Sequence, residues 1–137
     1  MQRILTRAVT TLVGLLVGFS SAGRAQAPAG HTHASPHGGD VVEVLKHHVE
    51  FKADSTGSIA VWLLDAQQKP VTQPAGASVT LMGPGGTQVT VPLQVDTAAQ
   101  RLVARFDPGK FSSFQAVVSL PIDGKRHNVR FRYPADH

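Results

Sequence analysis

The sequence predicts an all-β fold, an immunoglobulin-like antiparallel β-sandwich of about seven to eight strands. Short runs rich in Val, Thr and Phe alternate with polar residues and are separated by Gly, Pro and Asp turns at roughly 8–12-residue spacing. After residue 27 no segment sustains the 3.6-residue period of an amphipathic helix. The chain of 137 residues has no Cys, so neither disulfides nor thiolate metal sites contribute.

Residues 1–27 have the pattern of a secretory signal peptide. Arg3 and Arg7 precede an apolar run of about 12 residues, which is shorter than the roughly 20 needed to span a bilayer, and small residues follow it. Cleavage after Ala25 or Ala27 fits the small-residue rule. We therefore predict an exported, periplasmic protein that has no membrane association once the signal is removed.

The net charge of +4 comes mostly from this leader, which holds three arginines and no acid. The rest of the chain contains ten basic and nine acidic residues. The remaining basic cluster, Lys125, Arg126, Arg130 and Arg132, alternates with apolar residues, which is typical of a solvated strand face. The small basic footprint and single Trp and Tyr argue against a nucleic-acid partner.

Residues 28–39 are predicted to form a flexible His/Gly/Pro arm, because they contain no large apolar side chain to bury. The β-sandwich domain is predicted over residues 40–134. Its strands, bounded by turn residues such as Asp54–Gly57 and Gly83–Gly86, are expected at 40–45, 49–53, 58–64, 77–82, 89–95, 101–106, 114–120 and 127–133.

Alternation along these runs predicts the core. The expected core residues are Val42, Val49, Phe51, Ile59, Val61, Leu63, Leu81, Val91, Leu102, Val117 and Phe131. Trp62 has the opposite parity to Val61 and Leu63, so it either caps the core or packs against the arm.

Histidines form the one compositional anomaly, since five of the seven lie between residues 31 and 48. Neutral imidazole is the commonest metal ligand, and short His-rich tracts bind metals. In a strand with Val49 inward, His48 and Glu50 share the outward face with Cβ atoms about 6–7 Å apart, a gap that a metal could bridge. The candidate ligands are His37, His48, Glu50, His47, His33 and His31.

One carboxylate with several imidazoles suits Zn²⁺, Cu²⁺ or Ni²⁺, whereas Cu(I) would favour Cys or Met ligands. The alternative is that these residues are merely solvated and form no tight site. His127 is expected to be a surface strand residue and His137 to lie at a loose chain end.

Several segments resemble a known family. Residues 36–44 (PHGGDVVEV), followed by 47–51 (HHVEF), 61–71 (VWLLDAQQKPV) and the closing run 128–133, are similar to small periplasmic β domains. Such domains occur near the N-termini of heavy-metal efflux adaptor proteins and as short exported proteins. The resemblance implies an immunoglobulin-like sandwich, a role in handling Cu, Zn, Ni or Co, and an efflux adaptor or pump component as partner. It also implies His37, His48 and Glu50 as ligands.

Catalysis is not predicted. The serines are scattered outside any G-x-S-x-G motif, and Gly83-Pro84-Gly85-Gly86 lacks the Lys and helix of a phosphate-binding loop. The first hypothesis is therefore an exported metal-binding module associated with heavy-metal handling or efflux. The alternative is a non-catalytic interaction module that docks a partner through a sheet edge or the basic C-terminal strand. A third hypothesis is a pH sensor that uses the histidines.

Overall fold

A computed structural model describes residues 35–135, which form two antiparallel sheets and no α-helix. The nine strands are β1 Asp40–Val44, β2 His47–Ala53, β3 Ser58–Leu64, β4 Ser78–Met82, β5 Gln88–Pro92, β6 Gln94–Asp96, β7 Arg101–Arg105, β8 Phe114–Ile122 and β9 Lys125–Tyr133. Strand order is β1-β2-β3-β7-β6 in one sheet and β5-β4-β8-β9 in the other. The predicted all-β sandwich is confirmed. The predicted signal peptide, residues 28–34 of the predicted arm and His137 lie outside the described residues.

The core lies between the two sheets and is built by period-two alternation. In β2, Val49 and Phe51 point into it, and in β9, Val129 and Phe131 do so. The rings of Phe51 and Phe131 stack with centroids 4.9 Å apart, so β9 of the four-stranded sheet lies opposite β2 of the five-stranded sheet. Residues of the other parity in β2 therefore lie on the outer face of the five-stranded sheet.

Three predicted core residues are not fully buried. Val42 is 36% exposed because β1 is the edge strand of the five-stranded sheet. β9, the edge strand of the other sheet, lies opposite β2 and does not extend over β1. Val117 is only half-buried, because the alternation of side chains along β8 directs its neighbours Ala116 and Val118 into the core. Val91 is also half-buried, although it packs against the core.

The run 89–95, predicted as one strand, is two strands in different sheets. β5 pairs with β4 and β6 pairs with β7. Between them, Leu93 is buried and its N–H donates to the Ala77 carbonyl at 2.9 Å. Pro92 has no N–H to offer to the ladder, which favours an end to pairing at this point. The chain therefore crosses from one sheet to the other at Leu93, although the alternation of apolar residues alone predicts one continuous strand.

The last hairpin is longer than predicted. β8 and β9 pair until Ile122 and Lys125, leaving Asp123 and Gly124 as a two-residue turn. Their φ angles of 51° and 78° suit the left-handed turns that match the twist of a hairpin.

Candidate functional site

Glu50 is the centre of the candidate site. Its position in β2 faces away from the core, yet its side chain is wholly buried because residues 35–39 fold over it. Oε1 accepts hydrogen bonds from the Ser35 hydroxyl at 2.8 Å and from the backbone N–H groups of His37 and Gly39 at 2.9 and 3.0 Å. Oε2 accepts from His37 Nδ1 at 2.7 Å. We call this arrangement of Glu50 with Ser35, His37 and Gly39 the Glu50 clasp.

The four donors keep the carboxyl group ionised. Burial alone would raise the pKa of Glu50 and is the largest single influence on it. The hydrogen bonds from the His37 ring, Gly39, Ser35 and the His37 backbone together outweigh burial, and they hold the pKa below its ordinary value of 4.5. An ionised carboxylate can only accept hydrogen bonds, so His37 Nδ1 carries a proton. In the neutral ring the lone pair therefore resides on Nε2.

The two glycines after His37 let the backbone approach this closely. A Cβ at Gly39 would lie 2.4 Å from the Phe51 carbonyl oxygen, a separation that side-chain atoms do not tolerate. Gly38 has a φ of 78°, a left-handed conformation that glycine adopts without strain. The segment 35–39, which we predicted as part of a flexible arm, is instead bonded to β2, because Glu50 supplies acceptors for its hydroxyl, N–H and imidazole groups.

Trp62 completes the site from the neighbouring strand. It pairs in register with Glu50, and its ring stacks on that of His37 with centroids 4.2 Å apart and planes within 2°. Only 5% of Trp62 is exposed. Of the two roles predicted for this residue, packing against the arm is confirmed. Lys52 adds a bond from Nζ to the His37 carbonyl at 3.2 Å.

An open cleft of about 370 Å³ borders the clasp on the outer face of the five-stranded sheet. His37 and Trp62 form one wall of it. The side chains of two cations and one acid also contribute, and the full lining is His37, Lys52, Asp54, Ser58, Ala60, Trp62 and Arg101. The cleft gives a small ligand access to the His37 ring, whose side chain is 32% exposed.

His48 occupies the same strand face as Glu50, as its parity predicts, but it has other neighbours. It is buried, and its Nδ1 lies 3.0 Å from the Asp65 carbonyl oxygen at the end of β3. It lines a separate cleft with Glu43, Lys46 and Gln67 among others. The structure therefore brings His37 and Glu50 into contact and places His48 beside the β3–β4 turn.

The other two histidines among the described residues, His47 and His127, lie on the inward sides of their strands. His47 points inward with Nδ1 buried, 3.9 Å from Asp123 Oδ2. His127, which we expected at the surface, is half-buried, since it shares the inward parity of Val129 and Phe131. Its Nε2 is buried with no hydrogen-bond partner among the described residues. His31 and His33 lie outside the described residues.

Within residues 35–135, no three His, Asp or Glu side chains are placed together so that they could hold a metal ion. None of the described residues belongs to a helix long and apolar enough to cross a membrane. No family model, curated protein or solved structure matches the chain.

Sequence reasoning missed the contributions of Ser35 and Gly39 and the burial of Glu50. The available signal was a carboxylate between the apolar residues Val49 and Phe51 at an outward position of the strand, preceded by a His-Gly-Gly segment with backbone N–H donors. A buried carboxylate must find donors, and the nearest uncommitted backbone N–H groups are those of the preceding segment.

Proposed function

We propose that the protein is an exported, non-catalytic metal-binding module that takes Zn²⁺, Cu²⁺ or Ni²⁺ through His37. The observation that carries the proposal is the Glu50–His37 pair, in which the carboxylate accepts from Nδ1 and leaves the Nε2 lone pair for a ligand. Metal-ligating histidines commonly donate their other ring N–H to a carboxylate, which fixes the tautomer and raises the basicity of the ligating nitrogen.

In this proposal Glu50 is an orienting partner and not a ligand. Its two oxygens already accept four hydrogen bonds and are inaccessible to solvent. The further ligands that we propose are His31 and His33, which precede the clasp by only a few residues. Because His48 is buried with its Nδ1 against a backbone carbonyl, we assign it a lesser role.

The biological role that we propose is buffering or delivery of a divalent transition metal in the periplasm, with a heavy-metal efflux adaptor or pump component as partner. The support for this setting is the leader pattern in residues 1–27 and the family resemblance of residues 36–133. The small open cleft beside His37 is consistent with an exchangeable ion held by few protein ligands.

Isothermal titration of the full chain with ZnCl₂, NiCl₂ and CuCl₂ tests the proposal. We expect His37→Asn to weaken binding of the preferred metal by about 10- to 100-fold, since it removes the oriented nitrogen. His137→Asn, a change of the last residue, is the matched control and should leave binding unchanged. Equal affinity of the unaltered chain and the His37 variant for all three metals would overturn the proposal.

A further inference from the structure

β9 is a long, open edge of the four-stranded sheet. Its nine residues pair with β8 on one side, and no described strand pairs with the other side. An edge strand presents a row of backbone N–H and C=O groups that can bond another extended chain. The edge is therefore able to accept one more strand.

Apolar side chains of β1, namely Val42 and Val44, border the space beside this edge; we call them the apolar β1 surface. β9 lies opposite β2, so β1, the next strand of the five-stranded sheet, extends beyond the four-stranded sheet with nothing opposite it among the described strands. Val42 and Val44 lie on the side of β1 that faces the core. Val42 nevertheless remains 36% exposed, and Val44 is only half-buried. A strand added to β9 would lie about 4.8 Å from it and directly beneath these two valines.

The outer face beside the same edge is positively charged. Arg126, Arg130 and Arg132 occupy three of the four outward positions of β9 and are exposed, and Asn128 occupies the fourth. The register partners of the three arginines on β8 are neutral, namely Pro121, Val117 and Gln115. Arg126 donates to the uncharged Gly76 carbonyl and Ser119 hydroxyl, and no outward strand position in the described four-stranded sheet holds an Asp or Glu.

We propose that β9 accepts an extended segment of a partner protein in which acidic and apolar residues alternate. The apolar residues would cover Val42 and Val44, and the acidic residues would lie beside the outward arginines. A second copy of this chain pairing through its own β9 is disfavoured, because arginines would then face arginines across the new ladder. This interaction is independent of metal binding by His37.

A fluorescein-labelled, acetylated ten-residue peptide of alternating Glu and Val is a direct probe, measured by fluorescence anisotropy against the full chain in EDTA. We expect saturable binding that weakens about tenfold in Arg130→Glu, through lost attraction and new repulsion. A Lys–Val peptide should reverse this order and prefer the Arg130 variant. Lys69→Glu, an exposed change in the β3–β4 turn, is the control and should leave the affinity for both peptides unchanged.

A second pair of variants tests whether the apolar β1 surface contributes to peptide binding. Val42→Asp should weaken binding of the Glu–Val peptide, whereas Val95→Asp, at a 39% exposed position of β6 on the opposite edge, should not. Circular dichroism of each variant verifies that the fold is intact. The proposal would be overturned if the unaltered chain did not bind the Glu–Val peptide, or if the Val42 and Val95 variants lost equal affinity for it. It would also be overturned if Arg130→Glu left the affinities for the Glu–Val and Lys–Val peptides unchanged.

Discussion

Replacing Glu50 by Gln keeps the shape of the clasp and removes its charge. The amide oxygen can still accept the three bonds that reach Oε1. The amide NH₂ takes the place of Oε2, so it must donate to Nδ1 of His37 and force the ring into the other tautomer. Hydrogen bonds to a charged group contribute about 1.5–3 kcal/mol and neutral ones about 0.5–1.5 kcal/mol, so we expect a loss of about 1–3 kcal/mol in the free energy of unfolding.

Urea denaturation followed by circular dichroism measures this change. With a slope of about 1.5 kcal/mol/M, the midpoint should fall by about 0.7–2 M. Asp40→Asn is the matched control at a half-buried carboxylate in β1, and it should change stability by less than about 0.5 kcal/mol. A Glu50→Gln protein that unfolds at the same urea concentration as the unaltered chain would refute the reasoning that the buried charge stabilises residues 35–39.

Three further outcomes follow from the same geometry. Because the folded pKa of Glu50 lies below its ordinary value of 4.5, its stabilisation is present above that pH and is lost as pH falls through the folded value. Melting temperatures measured below pH 4.5 should therefore fall more steeply for the unaltered chain than for Glu50→Gln. Gly39→Ala should cost about 1–3 kcal/mol by urea denaturation because its Cβ meets the β2 backbone, whereas Gly109→Ala should stay within about 0.5 kcal/mol. His37→Ala should move the fluorescence emission of Trp62, the sole tryptophan, to longer wavelength, since it uncovers the indole face; an unchanged spectrum would contradict the stacked arrangement.

Local pattern predicted most of the fold. β3 matches its predicted bounds, because apolar residues run between clear turn signals on both sides. The division of run 89–95 was not predicted, since alternation continues through Leu93 and only the layer arrangement distinguishes one long strand from two. The exposure of Val42 was missed for a similar reason: parity gives the direction of a side chain but not whether the opposite sheet extends far enough to cover it.

The candidate site was predicted only in part. Strand parity placed His48 and Glu50 on one face, and the structure agrees. Parity could not reveal that Glu50 is enclosed, because enclosure depends on bonds to residues 11–15 positions earlier in the chain. It also could not reveal that Trp62 stacks on His37, since that contact requires the preceding segment to fold back over β2 and β3. Contacts of this kind depend on the donors and acceptors that tertiary structure brings together.

The most direct test of metal binding by His37 is nuclear magnetic resonance of the ¹⁵N-labelled full chain while Zn²⁺ is added. The account predicts that the Nε2 resonance of His37 shifts on addition of the metal, while Nδ1 keeps its proton and its bond to Glu50. Zinc binding that leaves both His37 nitrogens unchanged, or that removes the proton from Nδ1, would contradict it.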